Sequence, residues 1–552
     1  MSTPPTVVIL CGFMATGKTS VGRALAELLQ VPFIDTDELI EARAGKPIAE
    51  IFASEGEDRF RDLEAEICKS LAIPTDESGA PQGVVIATGG GALMREDTFT
   101  YLEALGTLVL LEASLEEIVR RASQMSGRPK LAAGADAKAD APTLYEERKP
   151  TYHRIARRVD TTRRNPAESA YEVSERVLYK EELLHMRAGA RPVPGRKARP
   201  GEDGLTRIVI GRGALAKLGE WIRACGMNGQ VYVFVSRTVA GFHGAAARAA
   251  LDAKALPNKF IQLDDKEESK TMEQAEALLY ELADTGATRD SVVVALGGGV
   301  TGDVAGYVAA NYMRGLAFVQ VPTTLLSQVD SSIGGKVGVN HPRAKNLIGA
   351  IYQPQLILTD VEVLATLPER EVASGMAEVV KTAIIGAPEL FAKLEKAGKK
   401  ISLRNAELLD ECVAACARVK AHIVEEDPYE QGLRRVLNLG HTVGHALEQA
   451  TGYGVLTHGE AVAFGMLAAL KISVTRKLAS AQFEKSTRWI LAACGLPFQV
   501  PQVPREQLVQ AMSLDKKRAG AGISFVLPIA PGDVRIVDDV TEDEIIAAFE
   551  AL

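Results

Sequence analysis

The sequence predicts an α/β protein in two modules: a parallel sheet covered by helices, then a second α/β domain that passes into a mainly helical one. Three observations carry this. The strand-like runs "TVVILCGF", "GVVIATGGG" and "TLVLLEA" alternate with helix-like segments, the pattern that builds a parallel sheet with helices on its faces. "QVYVFVS", "SVVVALGGG" and "LAFVQVP" repeat the alternation up to about residue 360. Beyond that point Ala-, Leu- and Glu-rich helical periodicity takes over, interrupted by one apolar run, "GISFVLPI". Between the modules, "MRAGARPVPGRKARPGEDG" has no apolar periodicity and reads as a solvated tether. The expected divisions are 1–182, a linker at 183–204, then 205–365 and 366–552.

A chain of 552 residues has room for three or four domains of about 150 residues, each with its own core. The net charge of −8 and the lack of an eighteen-residue apolar run argue against a nucleic-acid binder and against a membrane span. "MSTPPTVVILCGF" lacks a basic leader, so a cytoplasmic protein is expected. Of the six cysteines only Cys412 and Cys416 lie close, at a spacing that fits no common zinc pattern, and reduced core thiols are expected.

In the first module, "GFMATGKTS" matches G-x-x-x-x-G-K-[ST] between an apolar strand and a helical run. Backbone N–H groups across Gly12, Ala15, Thr16, Gly17 and Ser20 can turn onto phosphate oxygens, Lys18 can neutralise them, and Thr19 can hold Mg²⁺. "FIDTDELIE" places Asp35 and Asp37 in alternation at a strand end, one to face a metal and the other an acceptor. "FRDLE" supplies Arg61, and "ATGGGA" supplies Gly89, Gly90 and Gly91.

With these four motifs in order over residues 5–180, the module resembles shikimate kinase. The resemblance implies ATP- and Mg²⁺-dependent phosphorylation of the shikimate 3-hydroxyl. It gives Asp37, Arg61, Gly90 and Arg148 ("RKPTY") to shikimate, with Asp37 orienting or deprotonating the hydroxyl. Thr19 and Asp35 fall to Mg²⁺, Lys18 and the lid residue Arg128 ("SGRPKL") to the phosphates, and Arg164 ("RRNP") to the adenine end.

In the second module, "ALGGGVTGDVAG" gives a glycine turn after a strand and an acid, Asp303, early in the next helix, a weak dinucleotide signal by itself. "VDSSIGGKVGVNHPRAKN" gathers Asp330, Lys336, Lys345 and Asn346 in a polar, glycine-rich stretch suited to a multiply anionic substrate. Glu378 precedes Lys381 by one helical turn, and His441, His445 and His458 supply three imidazoles. One carboxylate and two imidazoles with open positions make a catalytic zinc set, so one of the four candidates has another task.

"GGGVTGDVAG", "DSSIGGKVGVN", "KNLIGAIYQP", "GMAEVVK", "LNLGHTVGHALE" and "HGEAVAFGM" together resemble 3-dehydroquinate synthase over residues 205–552. The resemblance implies a Rossmann-like NAD domain, then a mainly helical metal-binding domain. It also implies conversion of 3-deoxy-D-arabino-heptulosonate 7-phosphate to 3-dehydroquinate and phosphate, with NAD⁺ reduced and reoxidised within one turnover. It assigns Zn²⁺ or Co²⁺ to Glu378, His441 and His458, leaving His445 to the substrate's phosphate end. NAD⁺ falls to Glu267, Lys270, Gly298, Gly299, Val300, Asp303, Thr323, Thr324, Lys336 and Lys345. The substrate falls to Arg314, Asp330, Lys336, Asn346, Lys381, Lys420, Arg434, Asn438, His445 and Lys516, with Lys517 the alternative to the last; Asp330, Lys381 and His445 are its catalytic candidates. Arg237 stands where many relatives carry an acid or amide for the adenosine ribose, leaving NADP⁺ as an open variant.

A homodimer through the second module is expected, and no nucleic-acid or membrane partner. Two rivals remain. One is a metal-dependent alcohol dehydrogenase fused to another kinase, which would not need the lysine cluster; the other is a catalytically silent scaffold, which would not need the full set of charged site residues.

Overall fold

The computed structural model describes residues 7–71, 83–122, 137–178, 182–188, 205–398, 405–496 and 525–552, except 30, 153, 156, 163, 343 and 453, together with 73, 401, 503, 504, 506–508 and 511. It divides into two compact units, Met1–Glu182 and Leu183–Leu552.

In the first unit, β1 (Val7–Cys11), β2 (Phe33–Asp35), β3 (Val84–Ala87), β4 (Thr107–Glu112) and β5 (Arg158–Asp160) form one sheet in the order β2-β3-β1-β4-β5. Every pairing is parallel. β1 and β3 are buried along their whole length, which is why they read as unbroken apolar runs rather than alternating ones. The helix Lys18–Leu29 leaves the end of β1 and lays Val21, Leu25 and Ala26 against the sheet.

The second unit is built on a seven-stranded sheet. Its strands are β6 (Glu182–Arg187), β7 (Leu205–Ile210), β8 (Val231–Val235), β9 (Asn258–Gln262), β10 (Val292–Gly297), β11 (Ala317–Pro322) and, after the antiparallel hairpin β12 (Lys336–His341) and β13 (Ala344–Ile351), β14 (Leu356–Thr359). The order is β6-β7-β14-β11-β10-β8-β9, and β7 to β9 are parallel neighbours throughout. The chain winds outward from β8 to β9, then returns to place β10 on the other side of β8. That reversal opens a crevice at the carboxyl ends of β8 and β10, where open α/β sheets take ligands.

One expectation is corrected here. A linker starting at 183 is interrupted by β6, because Leu183 and Met186 are buried in the unit's core and the segment gains sheet pairing.

From residue 369 the unit is mainly helical, with helices Glu369–Gly386, Ala406–Glu426, His441–Thr451, His458–Thr475 and Ala481–Ala493. The run "GISFVLPI" supplies β15 (Phe525–Ala530), paired antiparallel with β16 (Asp533–Val537). Helices 369–386 and 458–475 are buried on nearly every side. Both carry small residues where backbones meet: a Cβ on Gly465 would lie 1.9 Å from the Gly440 carbonyl oxygen, and one on Gly459 would lie 2.0 Å from that of Ser374. No helix among the described residues is long and apolar enough to cross a membrane.

None of the six cysteines is in a disulfide, and all but Cys225 are buried. Burial pushes Cys11, Cys68, Cys416 and Cys494 up to about 12 and raises Cys412 as well. Since the thiolate is the reactive form, a maleimide applied to native protein at pH 8 should modify Cys225 first. Peptide mapping after brief exposure checks this; equal labelling of Cys412 or Cys416 would contradict it.

Candidate functional sites

In the first unit, β1 delivers the chain into a loop whose turns need positive φ at Gly12 (139°), Ala15 (60°) and Gly17 (93°). Gly12 also lies against the backbone of β4, where a Cβ would come 2.2 Å from the Leu111 carbonyl oxygen. Lys18 opens the following helix and donates to the carbonyls of Gly12 and Phe13, each at 2.9 Å. Thr16 donates to the Phe13 carbonyl at 2.8 Å, and Ser20 stands exposed in the first helical turn.

Thr19 donates its hydroxyl to Asp35 Oδ2 at 2.7 Å. The other Asp35 oxygen accepts the backbone N–H of Asp37 and caps the helix Thr36–Ala44. Asp37 therefore sits in a first helical turn, not in alternation on the strand; the cap at Asp35 ends β2 and turns the chain. The two carboxylates still face different ways. Asp35 points to Thr19, while Asp37 Oδ1 lies beside Gly89, 2.9 Å from where a Cβ would stand.

Around the glycine turn at the end of β3, Arg148 Nη1 and Tyr152 Oη both donate to the Gly90 carbonyl at 2.7 Å. Arg148 is buried, with its guanidinium 5.6 Å from the Phe13 ring centre. Arg61 lies against Gly91 and is paired with Glu64. Sequence reasoning passed over Glu64, the last residue of "FRDLE". It is buried, and burial raises its carboxyl although Arg61 pulls it down.

Arg128 lies outside the described residues. Arg164 is held by Glu172 and by the Asp160 carbonyl. The arginine found against the loop is Arg121, also passed over. It donates to the Ala15 carbonyl at 3.3 Å and to the Thr161 carbonyl at 2.6 Å.

In the second unit the glycine turn Gly297–Gly299 ends β10 at the crevice. Gly298 precedes the helix Gly299–Asn311, Val300 follows in its first turn, and Thr324 packs against Gly298. Thr323 donates its backbone N–H to the Gly297 carbonyl. One turn into the helix, Asp303 Oδ2 accepts from Lys270 Nζ at 2.5 Å; the same ammonium donates to Asn346. Burial raises the Asp303 carboxyl while Lys270 lowers it. Glu267 accepts from Asn340 at 2.8 Å, so hairpin β12–β13 is tied to this side of the crevice. Arg237, after β8, is exposed.

The deepest group is Glu378, fully buried on the helix Glu369–Gly386. Its Oε2 contacts Lys381; its Oε1 has no hydrogen-bond partner and faces His458 Nε2 at 3.6 Å and His441 Nε2 at 3.8 Å. Ligand atoms of these three residues lie within 4.8 Å of one another. His441 presents its Nδ1 to the Leu439 carbonyl at 3.2 Å, which leaves Nε2 as the free lone pair. A buried carboxylate oxygen without a hydrogen bond, opposite two imidazole nitrogens, fits a divalent cation.

Local sequence explains the placement. Gly440, at φ 80°, turns His441 into its helix. His458 begins its helix behind a Thr457–Glu460 capping box, and Arg370 grips Glu460 with two hydrogen bonds of 2.9 and 2.8 Å.

Burial opposes charge on Glu378, yet Lys381 and the imidazoles hold its carboxyl at about 2. Burial and Lys381 drive His441 well below the ordinary histidine range. His458 is pushed up to about 10, because the Glu378 and Glu448 carboxylates outweigh its burial.

Beside this group, Lys420 donates to Asp330 Oδ1 at 2.7 Å, and Lys381 Nζ lies 3.8 Å from the same oxygen. Despite its burial, the two ammoniums hold Asp330 well below the usual carboxylate range. Burial lowers Lys420 and Arg434. Arg434 donates to the Gly334 and Pro428 carbonyls at 3.0 and 2.8 Å. Lys336 pairs with Glu430, which also accepts from Asn438 at 3.0 Å. Glu430 was missed as well, hidden in the acidic run before "QGLRR". His445 is exposed one turn beyond His441, with the ring centres 5.3 Å apart. Lys345 reaches Glu448 at 3.5 Å.

Arg314 stands apart from the glycine turn. It lies exposed just beyond the C-terminal end of the helix that starts at Gly299, roughly 18 Å from the glycine turn at 1.5 Å per residue. Lys516 and Lys517 lie outside the described residues.

The family model for shikimate kinase matches residues 14–178. Those for the N-terminal and C-terminal parts of 3-dehydroquinate synthase match residues 260–374 and 375–518. A 3-dehydroquinate synthase of Geobacter metallireducens is 46% identical over 327 residues, which are 59% of this chain and 91% of that protein. One from Desulforamulus reducens is 43% identical over 345 residues, 62% of this chain and 96% of that protein. Among solved structures, 2-epi-5-epi-valiolone synthase from Streptomyces hygroscopicus, with NAD⁺ and Zn²⁺ bound, aligns with a TM-score of 0.59 at 26% identity, over 66% of this chain and 99% of that one.

Because a Cβ at residue 465 would strike the carbonyl of the residue before His441, Gly465→Ala should shift His441. An expected cost of about 1–3 kcal/mol in stability can be read by denaturant unfolding, and metal content per chain should fall with it. The comparisons and the geometry converge: the chain belongs to the 3-dehydroquinate synthase family and carries a shikimate kinase domain ahead of it in the same polypeptide.

Proposed function

We propose that the first unit transfers the γ-phosphoryl group of ATP to the shikimate 3-hydroxyl. The second converts 3-deoxy-D-arabino-heptulosonate 7-phosphate to 3-dehydroquinate and phosphate, with the residues above as the working groups. The observation that carries this reading is a pair of glycine turns, each at the carboxyl end of a parallel strand and each beside its own set of basic and acidic side chains.

In the first unit, the loop amides and Lys18 hold the ATP phosphates, and Thr19 with Asp35 holds Mg²⁺. Arg61, kept in place by Glu64, and Arg148 bind shikimate over the Gly90 turn, where a guanidinium suits its carboxylate. Asp37 takes the proton of the attacking hydroxyl. Arg128 acts over the phosphates, and the adenine end lies toward Arg121 and Arg164.

In the second unit, Glu378, His441 and His458 would hold Zn²⁺ or Co²⁺. The crevice from Gly298 to Asp303, with Glu267, Lys270, Thr323 and Thr324, would take NAD⁺, with Lys336 and Lys345 beside it. When bound, the cofactor supplies a reversible hydride acceptor and the ion a Lewis acid. Lys381, Lys420, Arg434, Asn438, Asn346 and Lys336 then meet an acid bearing a carboxylate and a phosphate, Asp330 sets the two buried ammoniums, and His445 moves a proton at the phosphate end. A homodimer through the second unit, and a role for Arg314 and Lys516 toward the substrate, belong to the same proposal.

Two single changes test it. Lys18→Ala should abolish shikimate phosphorylation and spare dehydroquinate formation, and His441→Ala should do the reverse. Assays of both activities on one preparation decide it; loss of both from either folded variant would sink the separation. Asp37→Asn should lower the phosphorylation kcat by about 10²–10⁴-fold, the usual weight of a general base, with little change in ATP KM.

A further inference from the structure

Glu448 closes the stretch "GHTVGHALE" and has no part in the reaction as described above. Its side chain is only 11% exposed. One oxygen faces His458 Nδ1 at 3.5 Å, and the other faces Lys345 Nζ at 3.5 Å. His458 thus stands between two carboxylates, with Nε2 toward Glu378 and Nδ1 toward Glu448.

Two triads of ligand atoms share this imidazole: Glu378–His441–His458 and His445–Glu448–His458. Chemistry separates them. The first is the more enclosed and holds a buried carboxylate oxygen without a hydrogen bond. In the second, Glu448 already has a lysine partner and His445 is exposed.

We propose that Glu448 is the positioning residue for His458. It accepts the Nδ1–H, fixes the tautomer that leaves the Nε2 lone pair toward Glu378, and is itself held by Lys345. His441 meets the same requirement with the Leu439 carbonyl. Each imidazole of the metal set therefore has an acceptor behind it, one a backbone carbonyl and the other a carboxylate, the arrangement that orients metal-binding histidines. Lys345 sits on hairpin β12–β13, so the link ties that hairpin to the metal set.

The inference rests on the metal reading of Glu378, His441 and His458, and the experiment keeps the two apart. Full-length protein stripped of metal is titrated with Zn²⁺ or Co²⁺ against a chromophoric chelator, and the Co²⁺ visible spectrum is recorded. Glu448→Ala should raise the metal Kd by about 10–100-fold and shift the Co²⁺ bands. Glu448→Gln, whose amide oxygen still accepts, should fall at the lower end of that range; the wild type should bind one equivalent. Wild-type affinity and an unchanged spectrum in Glu448→Gln and in any folded Glu448→Ala would overturn the proposal. A second equivalent of metal, lost in the variants, would also overturn it, making Glu448 a ligand. His441→Ala serves as the control: if it keeps the metal at wild-type affinity, the metal reading itself fails.

Discussion

The second unit is organised around one buried negative charge. Glu378 lies inside a helix enclosed on nearly every side, where an uncompensated carboxylate would cost several kcal/mol. Lys381, one turn along the same helix, offsets part of that cost. Imidazoles from two other helices face its second oxygen, each placed by its own local device. Gly440 turns one chain segment at positive φ; the Thr457–Glu460 box and the Arg370 fork start the other. The contacts of Gly459 with Ser374 and of Gly465 with Gly440 let the backbones come close enough for those rings to reach the carboxylate. Small residues on these helices and charged residues in the centre are two sides of one requirement.

The same logic runs at lower stakes in the first unit. Asp35 has two tasks for its two oxygens: one holds Thr19, and the other starts the helix that carries Asp37. In the proposed phosphoryl transfer a single side chain would thus place both ends, the metal side and the acceptor side. Arg61 and Arg148 approach the third feature, the glycine turn after β3, from different helices.

Much of this was legible in the sequence, because strands buried on both faces read as unbroken apolar runs and glycine turns read as such. The parallel sheets follow from those signals, whereas the choice of Glu378, His441 and His458 from four candidates came from the resemblance to 3-dehydroquinate synthase; the fold brings the three together. What escaped notice has a common cause. Glu64, Arg121, Glu430 and Glu448 are charged residues in amphipathic or acidic stretches, where charge is the ordinary covering of a solvated surface. Only the fold turns Glu64 and Glu448 inward, and only the fold sets Arg121 on a loop more than a hundred residues earlier. Alternation also misled at Asp37, where a capping side chain changed the local geometry within two residues. The tether was drawn too early for a similar reason: the apolar residues of β6 are too few to signal a strand by themselves.

Each unit has its own sheet and its own apolar core, so each has what it needs to fold as a separate body. Their union in one polypeptide has a consequence that neither site displays. Translation delivers the two catalysts in a fixed one-to-one ratio, and the cell cannot adjust one without the other by changing synthesis. The balance between their fluxes is left to turnover number, substrate saturation and metal loading. A shortage of Zn²⁺ or Co²⁺, with Mg²⁺ still plentiful, would silence one half of a molecule whose other half works on, shifting the ratio of activities while the amount of protein stays constant.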